Sequence, residues 1–265
     1  MAYTRAFSTL GFPEGTIDSV LALAESHSLD AVEIRALGGT IDVPSHLAAA
    51  WATPAALARR LGSSRVRVVS LDTSLHLIGG TEAERSKFLE FLPWAEAAGI
   101  PWLRVFDGGG KAGDAGIDEA AATVRWWRDL RRDRGLSVDI MVETHDSLLS
   151  AAPIARFLDR APGTAILWDS FNTWLRSGEA PLATWEAIRP AVVHVHVKDC
   201  LRIPSGAHPF TYVVPGTGEF PMAPLRAALQ AGFGGAVSLE WERLWHPQLA
   251  PLDEALASAT RLGWW

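Results

Sequence analysis

The stretch Val192-Val193-His194-Val195-His196-Val197-Lys198-Asp199 places residues capable of chemistry between valines. This period of two is that of a β-strand, so His194, His196 and Lys198 share one face and the intervening valines share the other. A surface strand with its valines on the core fits the pattern. A barrel strand whose polar face lines the lumen fits equally well, provided that other strands bring polar groups to the same place.

Three further predicted strands, the fifth, sixth and eighth in the chain, end in Glu143, Asp169 and Glu240. In a parallel barrel these carboxylates and His196 of the seventh strand would meet at one rim. A carboxylate at the end of a buried apolar strand is costly without a partner, so four such groups together favour a bound cation. Three carboxylates and one imidazole suit a divalent ion such as Mn²⁺, Mg²⁺, Co²⁺ or Zn²⁺.

Each of these residues also has a simpler interpretation when it is considered alone. Glu143 or Glu240 would pair with an arginine, and Asp169 would cap the turn that follows it. His194 lies one layer deeper than His196 on the same face, and we expect it to be a hydrogen-bonded core residue or a support for the site. Four coincidences at four successive strand ends are less plausible than one shared site.

The elements that must position these residues alternate between strand and helix. The strands are short and apolar, as parallel strands buried on both faces should be. Eight such units in 265 residues predict a (β/α)8 TIM barrel, a single α/β domain spanning residues 1–265, with a doubly wound open sheet as the competing fold. The predicted strands are 6–10, 31–35, 66–71, 102–106, 138–143, 165–169, 192–197 and 236–240, and the predicted helices are 16–27, 45–61, 82–98, 118–134, 148–159, 181–188, 222–231 and 252–262.

Composition narrows the class of protein. A net charge of −6 argues against a nucleic-acid binder, and the single Cys200 excludes an internal disulfide and fits a reducing compartment. Residues 1–12 lack the pattern of a signal peptide, and no run approaches the roughly 20 apolar residues of a membrane span. We therefore expect a cytoplasmic protein with no nucleic-acid or membrane partner. Exposed aromatic residues such as Trp264 and Trp265 would mark a contact in a homo-oligomer.

The motifs at the strand ends, taken in order, resemble those of the xylose isomerase-like TIM barrels, and more narrowly those of the sugar phosphate isomerase/epimerase group. The resemblance implies one divalent metal ion, with His196 chosen over His194 because the ligand in this family lies two residues before a Lys-Asp type pair. Its implied metal ligands are Glu143, Asp169, His196 and Glu240. The motifs that carry it are Glu143-Thr144-His145, Asp169, His194-x-His196-x-Lys198-Asp199, Leu239-Glu240, the segment Pro215-Gly216-Thr217-Gly218-Glu219-Phe220, and Glu33-x-Arg35.

The sequence departs from some relatives in the implied substrate-binding set. Ketose 3-epimerases carry a histidine three residues after the aspartate of strand six and a glutamate six residues after the ligand of strand five, where this chain has Asn172 and Leu149. Their arginine six residues after the strand-seven histidine is matched by Arg202. Endonuclease-type relatives use further histidines to hold three metals, and Asn172 replaces one of them. The metal set is thus intact, while the epimerase substrate set is only partly present.

The resemblance implies a sugar, sugar phosphate or polyol isomerase or epimerase that moves a proton through a metal-stabilised enediolate. Glu143 and Glu240 would exchange the proton from either side of the substrate carbon, as acid and base. The remaining polar residues of the rim would hold hydroxyl, carboxylate or phosphate groups of a small-molecule substrate. This expected substrate-binding set is Glu33, Arg35, Arg104, Asn172 and Arg202, with Lys198 beside it.

A lyase is the alternative activity. Dehydratases of the inosose or 3-dehydroshikimate type resemble this chain in the Glu-x-His of strand five. Such an enzyme begins with the same proton abstraction and then expels a hydroxyl group, with His145 or Lys198 as the acid. A barrel that binds sugar without catalysis is the third, less favoured, interpretation.

Overall fold

The computed structural model describes residues 3–110, 113–206 and 208–263, which places the aromatic pair Trp264 and Trp265 outside the described residues. Ten strands are present among the described residues. Eight of them are parallel neighbours in one sheet, and two form a short antiparallel hairpin. The sheet strands are Thr4–Phe7 (β1), Ala31–Ile34 (β2), Arg67–Ile78 (β3), Trp102–Gly108 (β4), Asp139–Glu143 (β5), Ala165–Asp169 (β6), Val192–Val197 (β7) and Ala236–Leu239 (β10), and the hairpin strands are Cys200–Leu201 (β8) and Thr211–Tyr212 (β9).

The strands of the sheet follow the order β1-β10-β7-β6-β5-β4-β3-β2. A parallel bridge between Ser8 and Glu33 brings the two end strands together and closes the sheet into a barrel. Helices connect successive strands around the outside. The predicted (β/α)8 TIM barrel is therefore confirmed, and the doubly wound open sheet is excluded.

Eleven α-helices lie within the described residues, and several begin at a side-chain cap. Thr16 and Thr81 each accept the backbone N–H three residues on, and Ser19 and Glu84 return a bond to the cap residue, which completes a capping box in both helices. The helices are Ile17–Ser26 (α1), Val43–Ala50 (α2), Pro54–Gly62 (α3), Glu82–Leu89 (α4), Leu92–Ala98 (α5), Asp114–Arg134 (α6), Ala151–Arg160 (α7), Ser170–Ser177 (α8), Pro181–Ile188 (α9), Met222–Gln230 (α10) and Leu252–Arg261 (α11).

The structure differs from several predicted elements. The single helix predicted over 82–98 is two helices, because Pro93 lacks the N–H that a continuous helix needs and instead lies in the first turn of α5. The helix-rich stretch 45–61 contains α2 and α3, and β3 runs to Ile78 rather than to residue 71. Helix α8 was not predicted, although Asp169 is its N-cap and accepts the N–H of Asn172.

The two faces of β7 show how the strand pattern builds the site. Val195 and Val197 are fully buried on the face that packs beneath the helices, where burial of one valine stabilises the fold by about 1.5–3 kcal/mol. His194 and His196 are equally buried, but they lie inside the barrel. The barrel interpretation of the alternating stretch is therefore correct. Among the described helices, none has the length and hydropathy needed to cross a bilayer.

Candidate active site

Four side chains that follow one another around the sheet converge at its carboxyl rim. One oxygen or nitrogen from each lies within 4.8 Å of those from the others, and all four residues are buried. The register of the sheet produces this arrangement, since Asp169 of β6 pairs directly with His196 of β7, and His196 pairs with Ser238, two residues before the fourth group. The four residues are Glu143, Asp169, His196 and Glu240, the set predicted from the strand ends.

The orientation of the His196 ring is set from below by Glu33. Nε2 of His196 lies 2.9 Å from Oε2 of Glu33, while Nδ1 lies 3.5 Å from Oε1 of Glu143 and 3.3 Å from Oε2 of Glu240. An ionised carboxylate only accepts hydrogen bonds, so Glu33 holds the proton on Nε2. Nδ1 is thereby the ring nitrogen that faces the other carboxylates.

Three atoms of this group are buried without a hydrogen-bond partner among the described residues: Nδ1 of His196, Oε2 of Glu143 and Oε2 of Glu240. Buried polar atoms normally have such a partner, and leaving one without it costs about 1–3 kcal/mol. Oε2 of Glu143 lies beside Nε of Arg104, and Oε2 of Glu240 lies beside Nζ of Lys198, so a metal ion here would give Nδ1 its missing partner and share the two carboxylates with these cations. The donor set, of three carboxylates and one imidazole, therefore fits a divalent metal ion.

The pKa shifts of the group also indicate that the site favours positive charge. Burial by itself would lower the pKa of His196, but the charges of Glu33 and Glu240 and the nearby carboxylate of Glu143 raise it well above its ordinary value. Burial would raise the pKa of Glu240, whereas Lys198 and His196 hold it well below its ordinary value. The carboxylates thus create a strongly negative potential that favours positive charge.

A second buried group lies one layer deeper in the barrel and comprises Glu33, His194 and His196. Nε2 of His194 lies 2.9 Å from Oε2 of Glu33 and 2.7 Å from Oγ of Ser238. These two contacts give His194 the supporting position predicted for it. Glu33 also acts on Asp72: burial, and then the nearby charge of Glu33, raise the pKa of Asp72 well above its ordinary value. The structure engages Glu33 with both histidines, and its expected contact with substrate stays a prediction.

Two buried arginines line the side of the site nearest β3 and β4. Nε of Arg104 lies 3.1 Å from Oε2 of Glu143, and its Nη1 donates to the carbonyl of Thr73. The guanidinium of Arg104 also lies 3.9 Å from the centre of the Phe106 ring. Burial and then the neighbouring charge of Arg104 lower the pKa of Arg35 to about 10, so Arg35 remains a cation at neutral pH.

Lys198 lies among three carboxylates at the mouth of the barrel. Its Nζ is 2.9 Å from Oδ2 of Asp169, 2.5 Å from Oε2 of Glu240 and 2.6 Å from Oε1 of Glu242. Among the described residues, the contact with Glu242 has the geometry of a hydrogen bond, whereas the other two are side-on ion pairs that leave Oε2 of Glu240 unsatisfied. Glu242 also accepts the hydroxyl hydrogen of Tyr212, on β9.

His145 is the most exposed of the predicted catalytic residues, with 40% of its side chain accessible. Burial would lower its pKa, but a hydrogen bond with Asp146 and the charges of Glu143 and Asp146 raise it to about 9. The loop that carries His145 is held by Asp107, which accepts the backbone N–H groups of residues 145–148. A protonated imidazole is therefore available at the rim, two residues from Glu143.

The two remaining predicted substrate-binding residues lie near the mouth. Asn172 donates from Nδ2 to Oδ2 of Asp169 at 2.9 Å, so it orients that carboxylate. Arg202 is exposed, and its guanidinium lies 4.4 Å from the centre of the Trp174 ring. Neither position tests contact with substrate, which stays a prediction for both residues.

The segment from Pro215 to Phe220 is held against the barrel by Asp199. The carboxylate of Asp199 accepts the backbone N–H groups of Cys200, Gly216, Gly218 and Phe220. A Cβ atom at Gly218 would lie 2.2 Å from Oδ1 of Asp199, so only glycine fits this approach. The resemblance based on this segment thus reflects a turn that anchors the loop after β7.

Several residues of the site were not predicted from the sequence. Asp107 lies near the end of β4, directly before three glycines, and Asp72 directly follows the predicted strand 66–71, so strand-end position was an available signal for both. Glu242 lies two positions after Glu240 and shares its parity. Tyr212 had no such signal, because the hairpin was not recognised. The unpredicted residues that contact or support the site are Asp72, Asp107, Asp199, Tyr212 and Glu242.

Comparison with known proteins places the chain in a family. The model for the xylose isomerase-like TIM barrel matches residues 21–262, which is most of the sequence. The chain belongs to this family. The resemblance inferred from the strand-end motifs is therefore confirmed at the level of the superfamily. A search of curated proteins gave no significant match.

Solved structures of the same fold cover nearly the whole barrel at low sequence identity. The probable 3-DHS dehydratase AsbF of Bacillus anthracis is 16% identical, with a TM-score of 0.78 over 97% of this chain and 98% of that one. The IOLI protein with a bound zinc atom is 19% identical, with a TM-score of 0.74 over 98% and 96%. A D-tagatose 3-epimerase-like protein is 14% identical, with a TM-score of 0.63 over 97% and 98%. At these identities the likeness establishes the fold.

Proposed function

We propose that this family member is a divalent-metal-dependent isomerase or epimerase of a sugar, sugar phosphate or polyol. The proposal rests on one observation above all: Glu143, Asp169, His196 and Glu240 each present one ligand atom within 4.8 Å of those of the others, at the carboxyl rim. The bound zinc atom of the IOLI protein, which shares this fold, supports a metal ion in the barrel.

The proposed metal ligands are Glu143, Asp169, His196 and Glu240. A divalent ion held there supplies positive charge that lowers the energy of negative charge on substrate oxygens. Arg104 contacts Glu143, and Asn172 contacts Asp169, so each fixes the orientation of one carboxylate. These contacts hold the acceptor atoms in place before substrate arrives.

The proton is moved by the two carboxylates on either side of His196. Oε1 of Glu143 lies 3.5 Å and Oε2 of Glu240 lies 3.3 Å from Nδ1 of that ring, so both carboxylates are close to the same point, and the proposal places a substrate carbon between them. One carboxylate removes the proton next to the carbonyl, and the other returns it to the neighbouring carbon or to the opposite face. Arg35 and Arg202 bind substrate oxygens near the mouth.

His145 supports a second candidate function, that of a dehydratase. Its pKa of about 9 keeps the imidazole protonated at neutral pH, and its exposed position allows it to donate to a departing hydroxyl group. The probable 3-DHS dehydratase shares the fold. Under this alternative the first step at Glu143 or Glu240 is unchanged, and the second step releases water.

Exchange with solvent deuterium tests both functions. The protein is loaded with Mn²⁺ and incubated in D2O with ketohexoses, their phosphates, inososes and 3-dehydroshikimate, and each mixture is followed by proton NMR and ultraviolet absorbance. An isomerase or epimerase incorporates deuterium next to the carbonyl and forms a new sugar. A dehydratase instead forms a conjugated product that absorbs in the ultraviolet.

Two variants assign the chemistry to residues. Glu240→Gln removes one proposed base, and its exchange rate should fall by at least about a hundredfold, because general acid–base catalysis contributes roughly 10²–10⁴. His145→Gln should leave the exchange rate within a few fold for an isomerase and should abolish water loss for a dehydratase. Metal-loaded protein that catalyses neither exchange nor dehydration across this panel would reject both functions in favour of a binding barrel.

A further inference from the structure

Lys198 lies against two of the proposed metal ligands. Its Nζ lies 2.9 Å from Oδ2 of Asp169 and 2.5 Å from Oε2 of Glu240, and both residues are proposed metal ligands. The lysine side chain is 2% exposed, so these contacts are made away from water. An ammonium group and a dication this close together, sharing the same carboxylates, repel each other strongly.

The bonding of Lys198 shows where the ammonium can go. Its hydrogen bond is with Oε1 of Glu242 at 2.6 Å, whereas its contacts with Asp169 and Glu240 lack hydrogen-bond geometry. Glu242 lies after β10 at the mouth, with 17% of its side chain exposed. The hydrogen bond of Lys198 is thus made with a carboxylate outside the proposed ligand set.

Glu242 is itself held in place for this role. Tyr212 donates its hydroxyl hydrogen to Oε1 of Glu242 at 2.9 Å, and the ring of Tyr212 packs against His246 with 5.0 Å between the ring centres. The hairpin β8–β9 thus fixes the carboxylate that receives the ammonium. Without Glu242, Lys198 would have only the proposed metal ligands as counterions among these contacts.

We infer that Lys198 is a built-in competitor of the metal ion, and that Glu242 is the positioning residue that draws the ammonium off Asp169 and Glu240 when the ion binds. This inference rests on the proposed metal site. Binding of the ion is an exchange of one cation for another within the same carboxylate group. The buried carboxylates therefore have a positive partner with and without the ion. This matters because an unpaired buried charge is strongly destabilising.

A double-mutant cycle on Mn²⁺ affinity tests the inference without using activity. Wild type, Lys198→Met, Glu242→Gln and the double variant are stripped with EDTA, exchanged into buffer at one fixed pH, and titrated with Mn²⁺ by calorimetry. Lys198→Met should bind at least about tenfold more tightly than wild type, since a nearby positive charge is removed. Glu242→Gln should bind at least about tenfold more weakly, because Lys198 stays on the ligands.

The double variant shows whether Glu242 affects Mn²⁺ affinity through Lys198 or directly through its own charge. If Glu242 acts through Lys198, Glu242→Gln should change the affinity of Lys198→Met by less than about threefold, which is a clear departure from additivity. If Glu242 acts only by its own charge, the loss will be the same in both backgrounds, and the inference is overturned. Glu14→Gln, which removes a carboxylate paired with Arg243, is the control and should match wild type.

The remaining outcomes are also decisive. Lys198→Met affinity equal to or weaker than that of wild type would overturn the inference while leaving the metal site intact. Absence of Mn²⁺ binding by wild type would reject the metal site and this inference together. Lys198→Gln is titrated in parallel, and circular dichroism confirms that each variant is folded, so a misfolded Lys198→Met cannot decide the result.

Discussion

Nε2 of His196 lies 2.9 Å from Oε2 of Glu33, and this contact decides which ring nitrogen faces Glu143 and Glu240. Burial would raise the pKa of Glu33, but the charge of His196 and hydrogen bonds with both histidines hold it well below its ordinary value. An ionised Glu33 can only accept. It therefore keeps a proton on Nε2, and Nδ1 is the nitrogen that faces the proposed metal site.

Glu33→Gln should weaken Mn²⁺ binding by about 10–100-fold, which is the usual cost of losing the carboxylate that orients a ligating histidine. The amide of glutamine can donate to Nε2, which would move the ring proton to Nδ1. Titration calorimetry on EDTA-stripped protein measures the change. Glu25→Gln, on the exposed surface beside Arg65, is the control and should retain wild-type affinity. Equal affinities for the two variants would contradict the orienting role.

Asp107→Ala should destabilise the fold by at least about 2 kcal/mol, because it leaves several buried N–H groups of the loop 145–148 without an acceptor. Urea denaturation followed by circular dichroism measures the free energy of unfolding. Asp129→Ala removes an exposed carboxylate paired with Arg132 and should change that free energy by less than about 1 kcal/mol. If both variants lower the free energy of unfolding by less than about 1 kcal/mol, water has replaced Asp107 as the acceptor of the loop N–H groups.

Gly218→Ala should destabilise the fold by about 1–3 kcal/mol, since its Cβ would overlap both Oδ1 of Asp199 and the carbonyl of Cys200. Gly234→Ala is a matched control, because a Cβ there meets no heavy atom within 4 Å. Thermal unfolding of the two variants provides the comparison. If Gly218→Ala melts at the same temperature as Gly234→Ala, the loop after β7 is not held by the contacts of Asp199.

Asp42 should contribute a pH-dependent part of the stability. Burial would raise its pKa, but hydrogen bonds from Lys87 and Ser45 lower it below its ordinary value. A lowered pKa means that the folded state favours the charged form, so this contribution is present above the unfolded-state pKa and is lost as the pH falls through the folded-state pKa.

The prediction for Asp42 concerns a difference between two proteins, which cancels the acid sensitivity of the rest of the fold. Wild type should be more stable than Asp42→Asn near pH 6, and the difference in unfolding free energy should shrink toward roughly pH 3. Urea denaturation in EDTA at several pH values measures it. A difference that stays constant with pH would assign the effect of Asp42 to helix capping alone.

The sequence by itself determined the barrel and the residues at its rim. Strand polarity has a period of two and helix polarity a period near 3.6, so local pattern specifies each element and the face on which a residue such as His196 lies. Parallel strands in one closed sheet share a carboxyl rim, so Glu143, Asp169 and Glu240 could be grouped without coordinates. The periodicity of apolar residues alone did not reveal the helix break, which Pro93 signals, or the point at which a strand such as β3 stops.

Only the tertiary structure decided how these rim residues contact one another. Lys198 meets Glu242, and His196 meets Glu33, across 44 and 163 residues of sequence. Such contacts depend on register and on the tilt of strands that are distant in the chain, and no local spacing encodes either. The same reason explains why the anchoring of the loops by Asp107 and Asp199 was not predicted: a carboxylate finds backbone N–H groups only after the barrel has brought the loops to it.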